Sequence, residues 1–273
     1  MTRLKEKDIN QIAETLVVYN NDLVRMTGCT LKEIAAQASG KKIDYLDRQN
    51  PLVAVVPMTC GQGIIEGFSE SVASIITYLG FRTVITNNSD AGGVAEAVQE
   101  GAEILFMADD HRFVAINLKT GKVSDNGDAT GKGYVTGLKH MCQGLEGKHV
   151  LLLGAGPVGN SAALTLVRYG ALVTVFDIDL SASQRLRGVI EELGYSVQVE
   201  TDLESALARH QIFVDACPAE NVIELRYISK NTKIAAPGIP LGVQGLGVEQ
   251  LLTDRLLHDP LQIGVATMLG EVL

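Results

Sequence analysis

Two glycine-rich turns hold the residues best suited to chemistry. In VLLLGAGPVGN (Val150–Asn160), Gly154, Gly156 and Gly159 stand at the spacing G-x-G-x-x-G, after an uninterrupted apolar run and before a helix-like segment. The first glycine of such a turn permits a tight bend, the second lets backbone approach a pyrophosphate, and the third lets the helix pack on the strand. Free N–H groups at the helix start attract phosphate oxygens. Gly154, Gly156, Pro157, Val158 and Gly159 are therefore expected to hold a dinucleotide. The next apolar run, LVTVFDID, ends on Asp177 with Ile178 beside it. A carboxylate at that strand end accepts both ribose hydroxyls and repels the extra phosphate of NADP. No arginine follows in DIDLSAS, so the expected cofactor is NAD, with Asp179 as a lesser candidate for the ribose contact. Further on, DACPAE and APGIPLGV each follow a strand. Cys217 and Pro218 are expected over the adenine ribose and nicotinamide side, or else Cys217 is a small buried residue. Pro237 and Gly238 are expected near the carboxamide, or else form a rigid turn.

The other turn, VVPMTCGQGIIEGFSES (Val55–Ser71), ends in neither G-K-[ST] nor G-x-S-x-G. It offers Thr59, Cys60, Gln62 and several N–H groups at the start of a helix, which suits a carboxylate or carbonyl. MADD (Met107–Asp110) ends a neighbouring strand, and its acids suit an ammonium group. An anion-binding loop beside an acid is what an amino acid requires. These residues point to a dehydrogenase of an amino compound. The plainer alternative is that Asp109 and Asp110 cap and solvate a strand end, with at most one facing a pocket.

The elements that must position these loops follow from apolar periodicity. Residues 8–26 read as helix, and Thr30 can cap a second helix, LKEIAAQAS. The strand LVAVVP, a helix closed by Gly80, the strand RTVITN, a helix closed by Gly101 and the strand EILFMADD then alternate. That rhythm predicts parallel strands with crossover helices. LKTGKV reads as a turn between two short strands, Asp125–Gly133 as a loop, and 134–147 as a helix and linker. A second alternating unit begins at HVLLLG and closes with a C-terminal helix. The expected fold is α/β. A C-terminal Rossmann domain with a parallel sheet (147–273) follows a helical and α/β substrate-binding domain (1–146).

The chain has 273 residues, 46% of them hydrophobic and 20% charged, with a net charge of −9. This suits a soluble two-domain protein and argues against nucleic acid or an anionic membrane as partner. A small cationic substrate is compatible with it. MTRLKEKDINQIAETL has no apolar signal region, and no apolar run reaches a membrane span. Cys29, Cys60, Cys142 and Cys217 are scattered without a C-x-x-C pair, and the histidines are isolated. Reduced thiols, a cytoplasmic location and no metal are expected. A homodimer is expected from the commonness of twofold oligomers.

Several longer stretches share one resemblance. VPMTCGQGIIEGFS, GAEILFMADDHRFVAINLKTGKV, APGIP and the terminal IGVATML, with Leu4 and Asp8 at the start, resemble the pyrrolysine-forming dehydrogenases over nearly the whole chain. The resemblance implies NAD-dependent oxidation of the terminal primary amine of methylornithyl-lysine. Ammonia is lost and the pyrroline ring of pyrrolysine closes. It further implies that Asp109 binds the ornithyl amine with help from Asn126. Thr59 and Cys60 would contact substrate, and Leu4, Ile65 and Phe68 would form apolar walls. The sequence departs from the family pattern at Cys60, where serine is expected, and at Gln62, where asparagine is expected. A thiol is the weaker donor. Hydride leaves readily only from a neutral amine, so Asp109 or a water beside it is the candidate base, and His111 is the lesser one. No covalent nucleophile is expected. The alternatives are an NAD(P)-dependent dehydrogenase or reductase of another amino or imino acid, and an NAD-binding regulatory module.

Overall fold

The computed structural model describes residues 4–243 and 248–273, which divide into two compact units. The first comprises the chain up to Val24, Cys29–Gly133 and Pro260–Leu273; the second comprises Arg25–Gly28 and Tyr134–Asp259.

The first unit opens with α1 (Glu6–Ile9), α2 (Ile12–Thr27), α3 (Leu31–Ala38) and α4 (Ile43–Asp47). Thr30 caps α3 as expected: its hydroxyl accepts the Glu33 N–H at 3.2 Å, and the Glu33 carboxylate returns to the Thr30 N–H at 2.7 Å. Then come β1 (Leu52–Val56), α5 (Phe68–Tyr78), β2 (Arg82–Ile85), α6 (Asp90–Gln99), β3 (Ile104–Ala108), β4 (Phe113–Asn117) and β5 (Val123–Asp125). The described strands order as β2-β1-β3-β4-β5. β1 pairs in parallel with β2 and β3 because a helix crosses over each time, whereas short turns make β3–β4 and β4–β5 antiparallel. β1 is buried along nearly its whole length, so it reads as a continuous apolar run rather than an alternating one.

α7 (Asn126–Met141) occupies much of the stretch expected as a loop. Glycine, aspartate and asparagine are poor helix formers, and Asn126–Gly133 is rich in them. A local cap and a tertiary contact override that propensity. The Asp125 carboxylate accepts the Gly127 N–H at 2.9 Å in the first turn. Gly133 also lets α7 approach another helix so closely that a Cβ there would lie 2.4 Å from Ile263.

The second unit holds β6 (His149–Leu153), α8 (Pro157–Arg168), β7 (Leu172–Phe176), α9 (Leu180–Glu192), β8 (Val197–Val199), α10 (Leu203–Arg209) and β9 (Ile212–Asp215). A 3-10 turn at Leu225–Tyr227, β10 (Lys233–Ala235), α11 (Val248–Leu251) and β11 (Leu256–Leu257) complete it. The described strands form an all-parallel sheet in the order β11-β10-β9-β6-β7-β8. The chain runs outward from β6 through β7 to β8, then returns to the other side of β6 at β9. That reversal opens a crevice at the carboxyl ends of β6 and β9, where Leu153 pairs with Asp215. Leu151, Leu153, Phe213 and Ile234 are buried behind it. Each such side chain contributes roughly 1.5–3 kcal/mol by leaving water.

The divide between the units differs from the boundary expected near residue 147. It falls inside α7, and the last helix, α12 (Gln262–Val272), belongs to the first unit. α12 is apolar around almost its whole circumference and packs on α3 and α5. Its end is tied down by Asn117 Nδ2 to the Val272 carbonyl (3.0 Å), Tyr45 Oη to the Leu273 carbonyl (3.0 Å) and Lys41 Nζ to the Gly270 carbonyl. These bonds satisfy carbonyls that a helix terminus otherwise leaves unpaired.

Candidate functional site

Each unit carries one of the two glycine-rich turns at the carboxyl edge of its sheet. In the second unit, Gly154 has φ +94°, and a Cβ on it would meet the Ala216 carbonyl oxygen at 3.0 Å. Gly159 sits on the same turn, where a Cβ would stand 2.0 Å from the Gly154 carbonyl oxygen. Gly156 is the opposite case, with no heavy atom within 4 Å of its Cβ position. Two glycines thus compact the turn and the third faces open space. Pro157 begins α8, where its missing N–H is not needed, and Val158 follows half-buried. This cradle fits a pyrophosphate against a helix start.

Asp177 directly follows β7, with Oδ2 accepting the Ala155 N–H at 2.7 Å and Oδ1 accepting the Asp179 N–H at 2.8 Å. One lone pair on each oxygen remains for ribose hydroxyls. Ile178 is 97% exposed. Asp179 is committed elsewhere. It accepts the Ser181 hydroxyl at 2.6 Å, caps α9 through the Ser181 N–H at 3.0 Å and pairs with Arg185 at 3.3 Å, contacts that hold its carboxyl below the usual range. Arg185 lies beyond the DIDLSAS stretch, and only the turn of α9 brings it back to Asp179.

Cys217 and Pro218 follow β9, Cys217 half-buried and Pro218 exposed. Burial, reinforced by the Asp215 carboxyl, pushes the Cys217 thiol far above its ordinary value, so it is no thiolate nucleophile. Gly238 donates its N–H to the Asp215 carbonyl at 2.9 Å and passes so close to Cys217 that a Cβ would lie 2.2 Å from its carbonyl oxygen. Pro237 precedes it, half-buried, and the Ile239–Pro240 peptide is cis. Asp215 itself was missed by sequence reasoning. Its signal was an acid closing an otherwise apolar strand.

In the first unit, the loop after β1 is held by two acids. Asp90 accepts the Thr59 N–H at 2.8 Å on one oxygen and the Thr59 hydroxyl on the other. These bonds keep the exposed Asp90 carboxyl below the usual range. Asp90 has φ +52°, a left-handed conformation that a non-glycine residue adopts at a cost. Asp110 accepts the Gln62 N–H at 2.8 Å, and Gly61, at φ +68°, passes so close beneath it that a Cβ there would lie 2.0 Å from Asp110 Oδ2. Asp109 is exposed, and its Oδ1 accepts the N–H groups of Arg112 (2.7 Å) and His111 (2.8 Å). Those two donors hold its carboxyl below the usual range. Among the described residues its Oδ2 accepts no hydrogen bond.

Asp125 ties the next segment to this turn: its Oδ2 accepts Arg112 Nε–H at 3.1 Å, and it pairs with Val114 across the sheet. Asn126 follows directly, half-buried, with Nδ2 directed at Met268 Sδ at 3.5 Å. Phe68 stacks edge-on against Phe113, with ring centroids 5.2 Å apart. The structure thus brings Thr59, Cys60, Phe68, Asp109 and Asn126 to one rim of the sheet. Cys60 is exposed and Ile65 half-buried on the same loop. Leu4 lies ahead of α1, which reaches α5 through the Ser71 hydroxyl and the Ile9 carbonyl at 3.1 Å. Among the described residues, no hydrogen bond joins Leu4 to the rim. Sequence reasoning also missed Asp90, because its link to Thr59 spans a strand and a crossover.

An all-parallel sheet with a dinucleotide-type turn at its switch point, carried with a second α/β unit, defines a Rossmann-type dehydrogenase fold. The fold resembles that of quinate dehydrogenase from Corynebacterium glutamicum, solved in complex with NAD. The TM-score is 0.56 at 17% identity, covering 82% of this chain and 92% of that one. Residues 8–124 match the N-terminal domain of the pyrrolysine biosynthesis protein PylD, and residues 128–220 match the alanine dehydrogenase/PNT C-terminal domain. The two matches meet at the start of α7. The chain is 33% identical to the pyrrolysine synthase of Methanosarcina acetivorans over 274 residues, which cover 100% of both proteins. It is 32% identical to that of Methanosarcina barkeri over 277 residues, covering 100% of this chain and 98% of the relative. The chain belongs to the pyrrolysine synthase family.

Proposed function

We propose that the protein catalyses NAD-dependent oxidation of the terminal primary amine of methylornithyl-lysine, with loss of ammonia and closure of the pyrroline ring of pyrrolysine. The observation that carries this reading is identity to two pyrrolysine synthases along the full chain. The first unit is the substrate-binding part in this reading, and the second is the NAD-binding part.

Gly154, Gly156 and the start of α8 would hold the pyrophosphate, and Asp177 the adenine ribose. The Asp177 carboxylate supports NAD over NADP, as does the commitment of Arg185 to Asp179. NAD held there would supply the acceptor for a hydride.

The ionised Asp109 carboxylate holds the terminal ammonium through its open Oδ2, with Asn126 beside it. Its depressed pKa makes it a better anchor than base, because a general base works best when matched to the operating pH. The substrate ammonium, with a pKa of about 10, therefore gives its proton to water before the carbon loses hydride. The imine carbon, or the aldehyde formed from it, is then attacked by the ornithyl α-amine of the same molecule. Ammonia departs as the ring closes on the imine, or earlier when water converts the imine to the aldehyde, in which case ring closure expels that water; a five-membered C=N ring remains. Such an intramolecular amine has an effective molarity of ~10⁵ M or more when well oriented, so no covalent help from Cys60 is needed. The protein acts by orienting and desolvating the substrate. A cytoplasmic homodimer completes the proposal.

The test is to mix the purified protein with NAD and synthetic ornithyl-lysine or its methylated form. The expected result is a rise in NADH absorbance, release of ammonia and the mass of a cyclic imine. NAD binding without turnover of either compound would overturn the substrate assignment.

A further inference from the structure

Asp215 is 0% exposed at the end of β9. Its Oδ1 accepts the Cys217 N–H at 3.2 Å, and its backbone carbonyl accepts the Gly238 N–H at 2.9 Å. Its Oδ2 is buried with no hydrogen-bond partner of good geometry. Gly242 closes over that oxygen: a Cβ at Gly242 would stand 2.0 Å from Oδ2. Gly242 in turn accepts the Ile223 N–H at 3.0 Å. One side chain is therefore gripped by both segments expected around the nicotinamide, residues 216–219 and 236–243.

None of the ion pairs among the described residues includes Asp215. A carboxylate taken fully out of water without a cation is costly, and the usual relief is to keep the proton. Burial raises the Asp215 carboxyl above its ordinary value and outweighs the groups that favour its charged form, namely the Cys217 thiol and N–H, the Gly242 N–H and His258. Cys217 is a neutral thiol, and Asp177, which acts on Cys217, is itself an acid. His258 attracts the carboxylate only weakly next to the desolvation, and its Nδ1 stands 2.7 Å from the Ala236 carbonyl oxygen. A neutral acid also keeps negative charge away from the phosphates that the Gly154 turn is shaped to receive.

We infer that Asp215 is held as the neutral acid and is the positioning residue that fastens these two segments at the nicotinamide end of the cofactor site. This rests on the dinucleotide reading of the Gly154 turn.

Three measurements on wild-type protein, Asp215→Asn and Asp215→Ala test it. Isotope-edited infrared spectra should show a carboxylic-acid carbonyl band at neutral pH that Asp215→Asn lacks. Hydrogen exchange at the Cys217 amide, which the side chain holds, should stay slow in Asp215→Asn and speed up in Asp215→Ala. NAD affinity should stay within about threefold of wild type in Asp215→Asn and fall at least about tenfold in Asp215→Ala, which leaves a buried donor unpaired. Wild-type affinity should also fall as pH rises through the raised Asp215 pKa, whereas that of Asp215→Asn stays flat. Absence of the acid band, or an Asp215→Asn variant that loses as much NAD affinity as Asp215→Ala, would overturn the inference. If Asp215→Ala does not fold, the band and the asparagine variant still decide it. Wild-type protein that binds no NAD would instead break the dinucleotide reading, and the infrared and exchange results would still judge the role of Asp215.

Discussion

The turn at Gly154 and the loop at Thr59 both leave the carboxyl edge of a parallel strand, yet they are held in different ways. Backbone packed on backbone makes the first: Gly154 lies against Ala216, Gly159 against Gly154, and Gly238 against Cys217. Side-chain carboxylates hold the second: Asp90 on Thr59, Asp110 on Gln62, and Asp109 on its own turn. A packed turn of this kind has no titrating group in it and leaves backbone donors at the helix start. A carboxylate-held loop keeps its charges near water. Such a rim suits a cationic ligand particular to one family.

The difference predicts unequal sensitivity to mutation. Gly159→Ala should have the largest effect. Its methyl would strike backbone that cannot swing aside, and overpacking of this kind costs about 1–3 kcal/mol or more. Loss of measurable NAD binding in a titration is expected, with a lower melting temperature. Normal binding would mean that the turn is looser than its geometry.

Asp109→Ala should come next, lowering kcat/KM for the amine about 100-fold through loss of a charged contact while NAD affinity holds. The pH profile sharpens this. Because the Asp109 pKa is depressed from 3.8, its carboxylate is ionised above that value and the contact is lost only as pH falls through the folded pKa. Between about pH 5 and 9, turnover should therefore rise with the neutral fraction of the substrate amine alone. An added inflection in that window, lost in Asp109→Ala, would make Asp109 the base after all.

Asp90→Ala should raise KM for the amine by no more than about fivefold, the worth of an exposed charged contact, with kcat and NAD affinity nearly unchanged. Cys60→Ser, which restores the residue expected in this family, should change kcat/KM by less than about threefold. A large gain there would show that the thiol weakens a real substrate contact.

The glycine fingerprint, the strand-helix alternation, the Thr30 cap and the hairpin at LKTGKV were legible because each depends on residues close in sequence. Asn126 was legible only through resemblance, since its composition argued for a loop and packing made it a helix start. The Asp90–Thr59 link and the burial of Asp215 left no local pattern to read.

The sequence by itself determined the alternation of strands and helices, the two glycine-rich turns and the family, because apolar period, glycine spacing and long matching segments are properties of the chain. Tertiary structure decided that the last helix returns to the first unit, that the divide falls inside α7, and which acids are free and which are committed. Those outcomes depend on contacts between residues far apart in the chain, such as Asn117 with Val272 or Asp215 with Gly242, where burial and close approach outweigh local preference.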